Sequence, residues 1–234
     1  MYNKFMRYAV ITDVHSNIFA LKAVLKEIDE QKVDKIICLG DIVGNGAYPE
    51  ECVQYIRARG DILCVKGNHD MFATIDLSKV PLCDSRIKMF KWQQRVLTKT
   101  AKTFLQELPP ILIFNDSGKK IVAFHYPKNE KGRFKELIYL PTKEQVESLF
   151  KGLDGDIFLF GHEHTGSLTE IDGKFYLNFG TLGNMLEKDV ARYGILDVAE
   201  GKVAYKSFNV SYDDSLPRKR ALEIHSLLGA EIKL

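Results

Sequence analysis

The chain has 234 residues, 45% hydrophobic and 27% charged, with a formal net charge of +2. That length can bury a substantial core, and the composition is that of an ordinary globular protein rather than a fibrous or disordered one. So small a net charge argues against nucleic acid or an anionic membrane as partner, and no apolar stretch approaches the roughly 20 residues of a membrane helix.

In chain order, Met1–Arg7 lacks the apolar region of a secretory signal, so export is not expected. Tyr8-Ala9-Val10-Ile11 is then the first of five runs that are apolar on consecutive residues. The others are Ile36–Leu39, Ile62–Val65, Ile121–Phe124 and Ile157–Phe160. Short continuous runs suit strands covered on both faces, as in the central sheet of an α/β protein. Between the first two, Ile18, Leu21, Val24, Leu25 and Ile28 form one helical stripe behind Asn17, an N-cap residue. A second helix is expected from about Glu50 to Arg59, after Pro49. Right-handed crossovers in this β-α-β-α-β opening make its strands parallel.

The segment from Met71 to Pro110 breaks the rhythm and reads as a helical insertion at about 71–110 within a single domain spanning 1–234. Its spacing is helical around Ile87, Phe90 and Leu97, then Phe104, Leu105 and Leu108. From Lys79 to Lys102 it carries Lys79, Arg86, Lys88, Lys91, Arg95, Lys99 and Lys102 against Asp84 alone. The plain interpretation is a solvated helix face; the sharper one is a basic lid over a phosphorylated substrate. Further on, Asp172-Gly173 marks a type I′ hairpin, and Tyr193–Val198 pairs with Val203–Phe208 across Glu200-Gly201. These strands predict a mixed or antiparallel sheet packed on the first, with helices outside both. A last helix spans about Asp213 to Leu228, with His225 expected on its surface. Cys38, Cys52, Cys64 and Cys83 show no CxxC spacing, which points to reduced thiols in a cytoplasmic protein.

A polar, metal-type ligand follows each of the five runs within one to three residues: Asp13, Asp41, Asn68, His125 and His162. Ligands gather beyond the carboxyl ends of strands in open α/β sheets, so these groups are expected to converge. Asp13 and His15 stand two apart, as do His162 and His164; in extended chain each pair points to one face. Taken alone, Asp13 and Asp41 could be caps and His125 a packed core histidine, but the set together is hard to explain by packing. Carboxylates and imidazoles without thiolate favour Mn, Fe, Zn, Ni or Co, and Asp41 can bridge two ions through its two oxygens. Two divalent or trivalent ions of that kind are the expected cofactors. Such a centre suits an anionic ester, whose partner is a small phosphorylated substrate attacked by a hydroxide bridging the ions. His69 is then free to stabilise charge or protonate the leaving oxygen, with Asp70 beside it orienting the ring.

The ordered blocks Asp13/His15, Gly40-Asp41, Gly67-Asn68-His69-Asp70, His125 and Gly161-His162-Glu163-His164 resemble the calcineurin-like metallophosphoesterase superfamily. Asp13-Val14-His15-Ser16-Asn17 and Leu39–Gly44 look like its small bacterial and archaeal phosphodiesterase-like branch. The resemblance implies a four-layer αββα sandwich of two mixed β-sheets flanked by helices. It also implies one metal among Asp13, His15, Asp41 and His164, a second among Asp41, Asn68, His125 and His162, and His69 as the catalytic histidine. The activity expected is hydrolysis of a small phosphodiester or phosphomonoester.

Two departures bear on that expectation. Gly40–Gly46 lacks the Asp and Arg of the protein phosphatases' G-D-x-x-D-R-G, and Asn178–Asn184 departs from the N-P-G-S-[VL]-G of the small branch. Arg192 is a candidate phosphate contact near that loop. Alternatives are a dinucleoside polyphosphate hydrolase, a protein phosphatase, or a non-catalytic scaffold like the retromer subunit that shares this look.

Overall fold

The computed structural model describes residues 6–183 and 187–229; Met1–Phe5 and Asn184, considered above, lie outside them. The strands are β1 (Met6–Ile11), β2 (Lys35–Cys38), β3 (Ile62–Cys64), β4 (Ile111–Asp116), β5 (Lys119–Phe124), β6 (Ile157–Leu159), β7 (Ser167–Ile171), β8 (Lys174–Asn178), β9 (Val190–Ala199) and β10 (Lys202–Ser211). The helices are α1 (Ile18–Glu30), α2 (Pro49–Arg57), α3 (Asn68–Phe72), α4 (Asp84–Val96), α5 (Lys99–Glu107), α6 (Lys143–Phe150) and α7 (Ser215–Leu227). The strands form two five-stranded sheets, ordered β10-β9-β1-β2-β3 and β4-β5-β6-β8-β7.

Burial along the strands explains the layers. Ala9 and Ile11 of β1 turn to an outer helical layer of α1, α2 and α5, while Tyr8 and Val10 turn to the second sheet. On the second sheet, Ile121 and Ala123 face inward, while Val122 and Phe124 face outward and meet Val146, Leu149 and Phe150 of α6. Each central strand is therefore apolar on both faces, with helices on one side and the opposing sheet on the other. The result is the αββα sandwich. Local signals agree with it: Asn17 Oδ1 accepts from Ala20 N at 3.0 Å at the start of α1. Asp172 and Gly173 have φ of 49° and 73°, as a type I′ turn requires.

Several expectations are corrected. The five apolar runs do not share one sheet: β1, β2 and β3 lie in the first, β5 and β6 in the second. Burial on both faces cannot tell the two apart. The β9–β10 hairpin joins the first sheet, with β9 antiparallel to β1, instead of extending the second. The sequence expectations omit β4, an edge strand with Ile113 55% exposed; the run Ile111–Phe114 before the Ser117-Gly118 turn is its signal. His225 is not a surface residue. It is buried, with Nε2 2.9 Å from Asn45 O, because α7 packs on the loop after β2. Among the described residues no helix is long and apolar enough to cross a membrane, and the four cysteines are free thiols.

Candidate metal centre

The loops after β1 and β2 continue their strands' parallel companionship. Asp13 N donates to Gly40 O at 3.0 Å, His15 N to Asp41 O at 2.9 Å and Ser16 N to Ile42 O at 3.0 Å. The chain is not extended here, as the spacing argument assumed. Asp13, His15 and Asp41 have φ of 52°, 46° and 52°, and His162 and His164 have 73° and 61°. These left-handed turns, uncommon for residues with a side chain, are what swing the ligands together. Gly67 is required by close approach: a Cβ there would overlap Asp41 Oδ1 and N.

Two groups of ligand atoms result. In the first, His164 Nε2 lies 2.9 Å from His15 Nε2 and 3.2 Å from Asp13 Oδ1. In the second, His125 Nε2 lies 3.0 Å from Asn68 Oδ1, 3.2 Å from His162 Nδ1 and 3.3 Å from Asp41 Oδ2. Asp41 Oδ2 is also 4.0 Å from His15 Nε2 and 3.9 Å from His69 Nε2, placing it between the groups. All seven candidate ligands are thus brought together. The centre spans the seam of the sandwich: Asp13, His15, Asp41 and Asn68 come from the first sheet's loops, the other three from the second's.

The donor set fits cations. His125 Nδ1 is 2.8 Å from Leu39 O, which can only accept, so Nδ1 carries the hydrogen and Nε2 presents a lone pair. That lone pair, an amide oxygen and a carboxylate oxygen then meet beside the ring nitrogen Nδ1 of His162, a set that suits a cation. Without an ion, protons compete for these sites. Burial presses the His125 imidazolium down, but Asp41 and Asp13 outweigh it and bring it up to about 9. His164 is raised, burial again being outweighed, chiefly by Asp13. Burial pushes Asp13 and Asp41 up, yet the surrounding histidines hold both below the usual carboxylate range. Burial, followed by the charge of His125, lowers His162 to about 4.

His69 stands at the edge of this centre. Its ring is buried edge-on against Phe90, with centroids 5.1 Å apart, and burial lowers it to about 4. Its Nε2 is 3.2 Å from Arg86 Nη1, and its Nδ1 has no hydrogen-bond partner. Asp70 is placed differently from the expectation that it orients this ring. Its carboxylate accepts from Val43 N at 3.1 Å and Gly67 N at 2.9 Å, tying two ligand loops together. Arg192 pairs with Glu187 at 2.6 Å.

Sequence reasoning passed over the supports. Glu163 is buried, and its carboxylate accepts from Leu140 N, Gly166 N and Asn178 Nδ2 at 3.2, 3.1 and 3.3 Å. Its position between two ligands was the available signal, since neighbouring side chains diverge. Thr12 Oγ1 donates to Asp13 Oδ2 at 2.7 Å, and Phe134 stacks on His162 with centroids 5.4 Å apart.

Residues 6–201 match the model of the calcineurin-like phosphoesterase superfamily domain. An uncharacterized protein of Methanocaldococcus jannaschii is 34% identical over 225 residues, covering 88% of this chain and 87% of its own. Among solved structures, a hypothetical protein from Pyrococcus horikoshii OT3 superposes with a TM-score of 0.81 at 18% identity, covering 95% of this chain and 97% of that one. A metallophosphoesterase from Sphaerobacter thermophilus superposes with a TM-score of 0.70 at 25% identity, covering 97% and 99%.

Proposed function

The chain belongs to the calcineurin-like phosphoesterase superfamily, and on that premise we propose that it hydrolyses a small phosphomonoester or phosphodiester at a centre of two metal ions. One ion would be held by Asp13, His15, Asp41 and His164, the other by Asp41, Asn68, His125 and His162. The observation that carries this reading is the position of Asp41 Oδ2, 3.3 Å from His125 Nε2 in one group and 4.0 Å from His15 Nε2 in the other.

When bound, such ions supply a water acidic enough to attack near neutral pH and offset the phosphate's charge. The chain's own residues do the rest. Asp13 and Asp41 give the hard oxygen ligands, and their negative charge limits the field presented to an anionic ester. The imidazoles fix the geometry from both sheets. The Leu39 carbonyl holds the His125 ring in one tautomer, and Thr12 braces Asp13. His69, whose Nε2 lies 3.9 Å from Asp41 Oδ2 and accepts from Arg86, would meet the leaving oxygen or a phosphate oxygen in its protonated form, which an anionic substrate and release of Arg86 would favour. Phe90 packs on the His69 ring and Phe134 on the His162 ring, limiting water around both.

The experiment is a panel of phosphorylated metabolites, aryl phosphates and aryl diesters, tested on protein loaded with manganese under anaerobic handling. Turnover of at least one class is expected. Fully metal-loaded protein that cleaves none of them would remove the proposal.

A further inference from the structure

The basic insertion divides in two when helix phase is taken into account. Helix α4 carries Arg86, Lys88, Lys91 and Arg95. The residues through which it meets the centre are Arg86, Phe90 and Gln93. Arg86 touches His69 Nε2, Phe90 packs on the His69 ring, and Gln93 Nε2 donates to Gly44 O. Spacings of four and three put these on one face of a helix. Lys88, Lys91 and Arg95 lie about 140–200° around the helix from Arg86, at roughly 100° per residue. They form the solvated face, and Arg86 alone of the four points its charge at the centre.

Among the described residues the Arg86 guanidinium has no carboxylate partner, and it meets the His69 ring nitrogen at 3.2 Å. Arg7, Arg59, Arg192, Arg218 and Arg220 each pair with an Asp or Glu; among the described residues Arg57, Arg95 and Arg133 do not, and Arg86 differs from these three in touching a ring of the centre. A guanidinium has five N–H donors, and an imidazole offers one lone pair. Most of the fork is therefore left over, exposed, beside a ring nitrogen 3.9 Å from the carboxylate oxygen shared by both ligand groups.

We propose that Arg86 binds a non-bridging oxygen of the substrate phosphate and selects for a terminal, dianionic phosphate over a phosphodiester. This rests on the phosphoesterase reading above and narrows its substrate class. A monoester has three non-bridging oxygens. If two were taken by the ions that the ligand groups would hold, the third would be free to meet the planar fork, which suits phosphate oxygens better than the point charge of a lysine. A diester carries one negative charge, and a second ester group stands where that third oxygen would be. Gly44 favours the arrangement: a Cβ there would overlap the His15 ring nitrogen and press on that of His69, so the ring that meets Arg86 has space that only glycine leaves.

The test compares Arg86→Ala, Arg86→Lys and the control Lys91→Ala with the parent protein, all loaded with manganese. Two readouts are used: calorimetric binding of inorganic phosphate, and kcat/KM for p-nitrophenyl phosphate against its bis-ester. Arg86→Ala should weaken phosphate binding about tenfold and lower monoester kcat/KM about 10- to 100-fold, the range expected for losing a charge-assisted hydrogen bond. Diester kcat/KM should change by less than about threefold, since that contact is not made. Arg86→Lys should restore part of the phosphate affinity without restoring the monoester-to-diester ratio, and Lys91→Ala should alter neither. Equal losses on both esters, or unchanged phosphate binding, would overturn the assignment. If the parent protein cleaves neither ester, the phosphoesterase reading falls, while phosphate calorimetry still decides the role of Arg86.

Discussion

His15 and His164 stand 149 positions apart, yet their Nε2 atoms are 2.9 Å from each other across the seam between the sheets. Each nitrogen can offer a lone pair, and a cation lying between them would take both as ligands in place of the hydrogen that otherwise has to join them. An ion bound here would link the two sheets and stabilise the fold by mass action. At about 100 times its dissociation constant that amounts to about 2.7 kcal/mol, or roughly 5–11 °C in Tm for a chain of this size. Thermal melts with chelator and with added manganese should differ by that order; coincident melts would reject a metal centre.

His69→Ala separates chemistry from binding. His69 is not needed to complete either proposed ligand set, so the variant should keep the parent's metal content by elemental analysis. Turnover should fall by about 10²–10⁴-fold, the usual contribution of a positioned acid. A scaffold protein would show no turnover to lose.

Asp70→Asn tests a structural role. The carboxylate accepts from two backbone N–H groups, Val43 N and Gly67 N. An amide can accept on one side only, leaving a donor facing a donor at a cost of about 1–3 kcal/mol. Lower Tm and weaker metal retention are expected. Unchanged stability with an altered pH optimum would instead support a bond to the His69 ring.

Glu50 gives a pH-dependent link between α2 and α5. Its carboxylate accepts from Thr98 N at 2.9 Å and Thr98 Oγ1 at 3.0 Å. Partial burial pushes this carboxyl up, but these bonds and one from Gln54 outweigh it, so it titrates below 4.5 in the folded chain. The unfolded chain then binds the proton more readily, and the contribution is complete above the ordinary value and lost as pH falls through the folded one. The stability difference between parent and Glu50→Gln should be constant from pH 7 to about 5 and shrink toward pH 3. A gap that persists at pH 3 would show that Glu50 acts only through its shape.

Much of this is legible in the sequence because two signals coincide. An apolar run marks each central strand, and the next polar residues are the ligands, so the loops after β1, β2, β3, β5 and β6 could be read as one centre. The partition of those strands was not legible, since a strand under a helix and over a second sheet looks alike in either sheet. The roles of Asp70 and Glu163 were hidden for another reason: their partners are backbone amides and an asparagine remote in sequence, which leave no pattern. Arg86 was legible only as one cation in a basic run. Helix phase singles it out once the position of Phe90 over His69 is known.

The left-handed backbone at Asp13, His15, Asp41, His162 and His164 has an evolutionary corollary. Each such residue costs roughly 1–2 kcal/mol that glycine would not. A descendant freed from catalysis would therefore relieve strain by drifting to glycine at His15, His162 or His164, whereas Asp13 and Asp41 accept from the buried His162 N and His69 N and would be kept for those bonds.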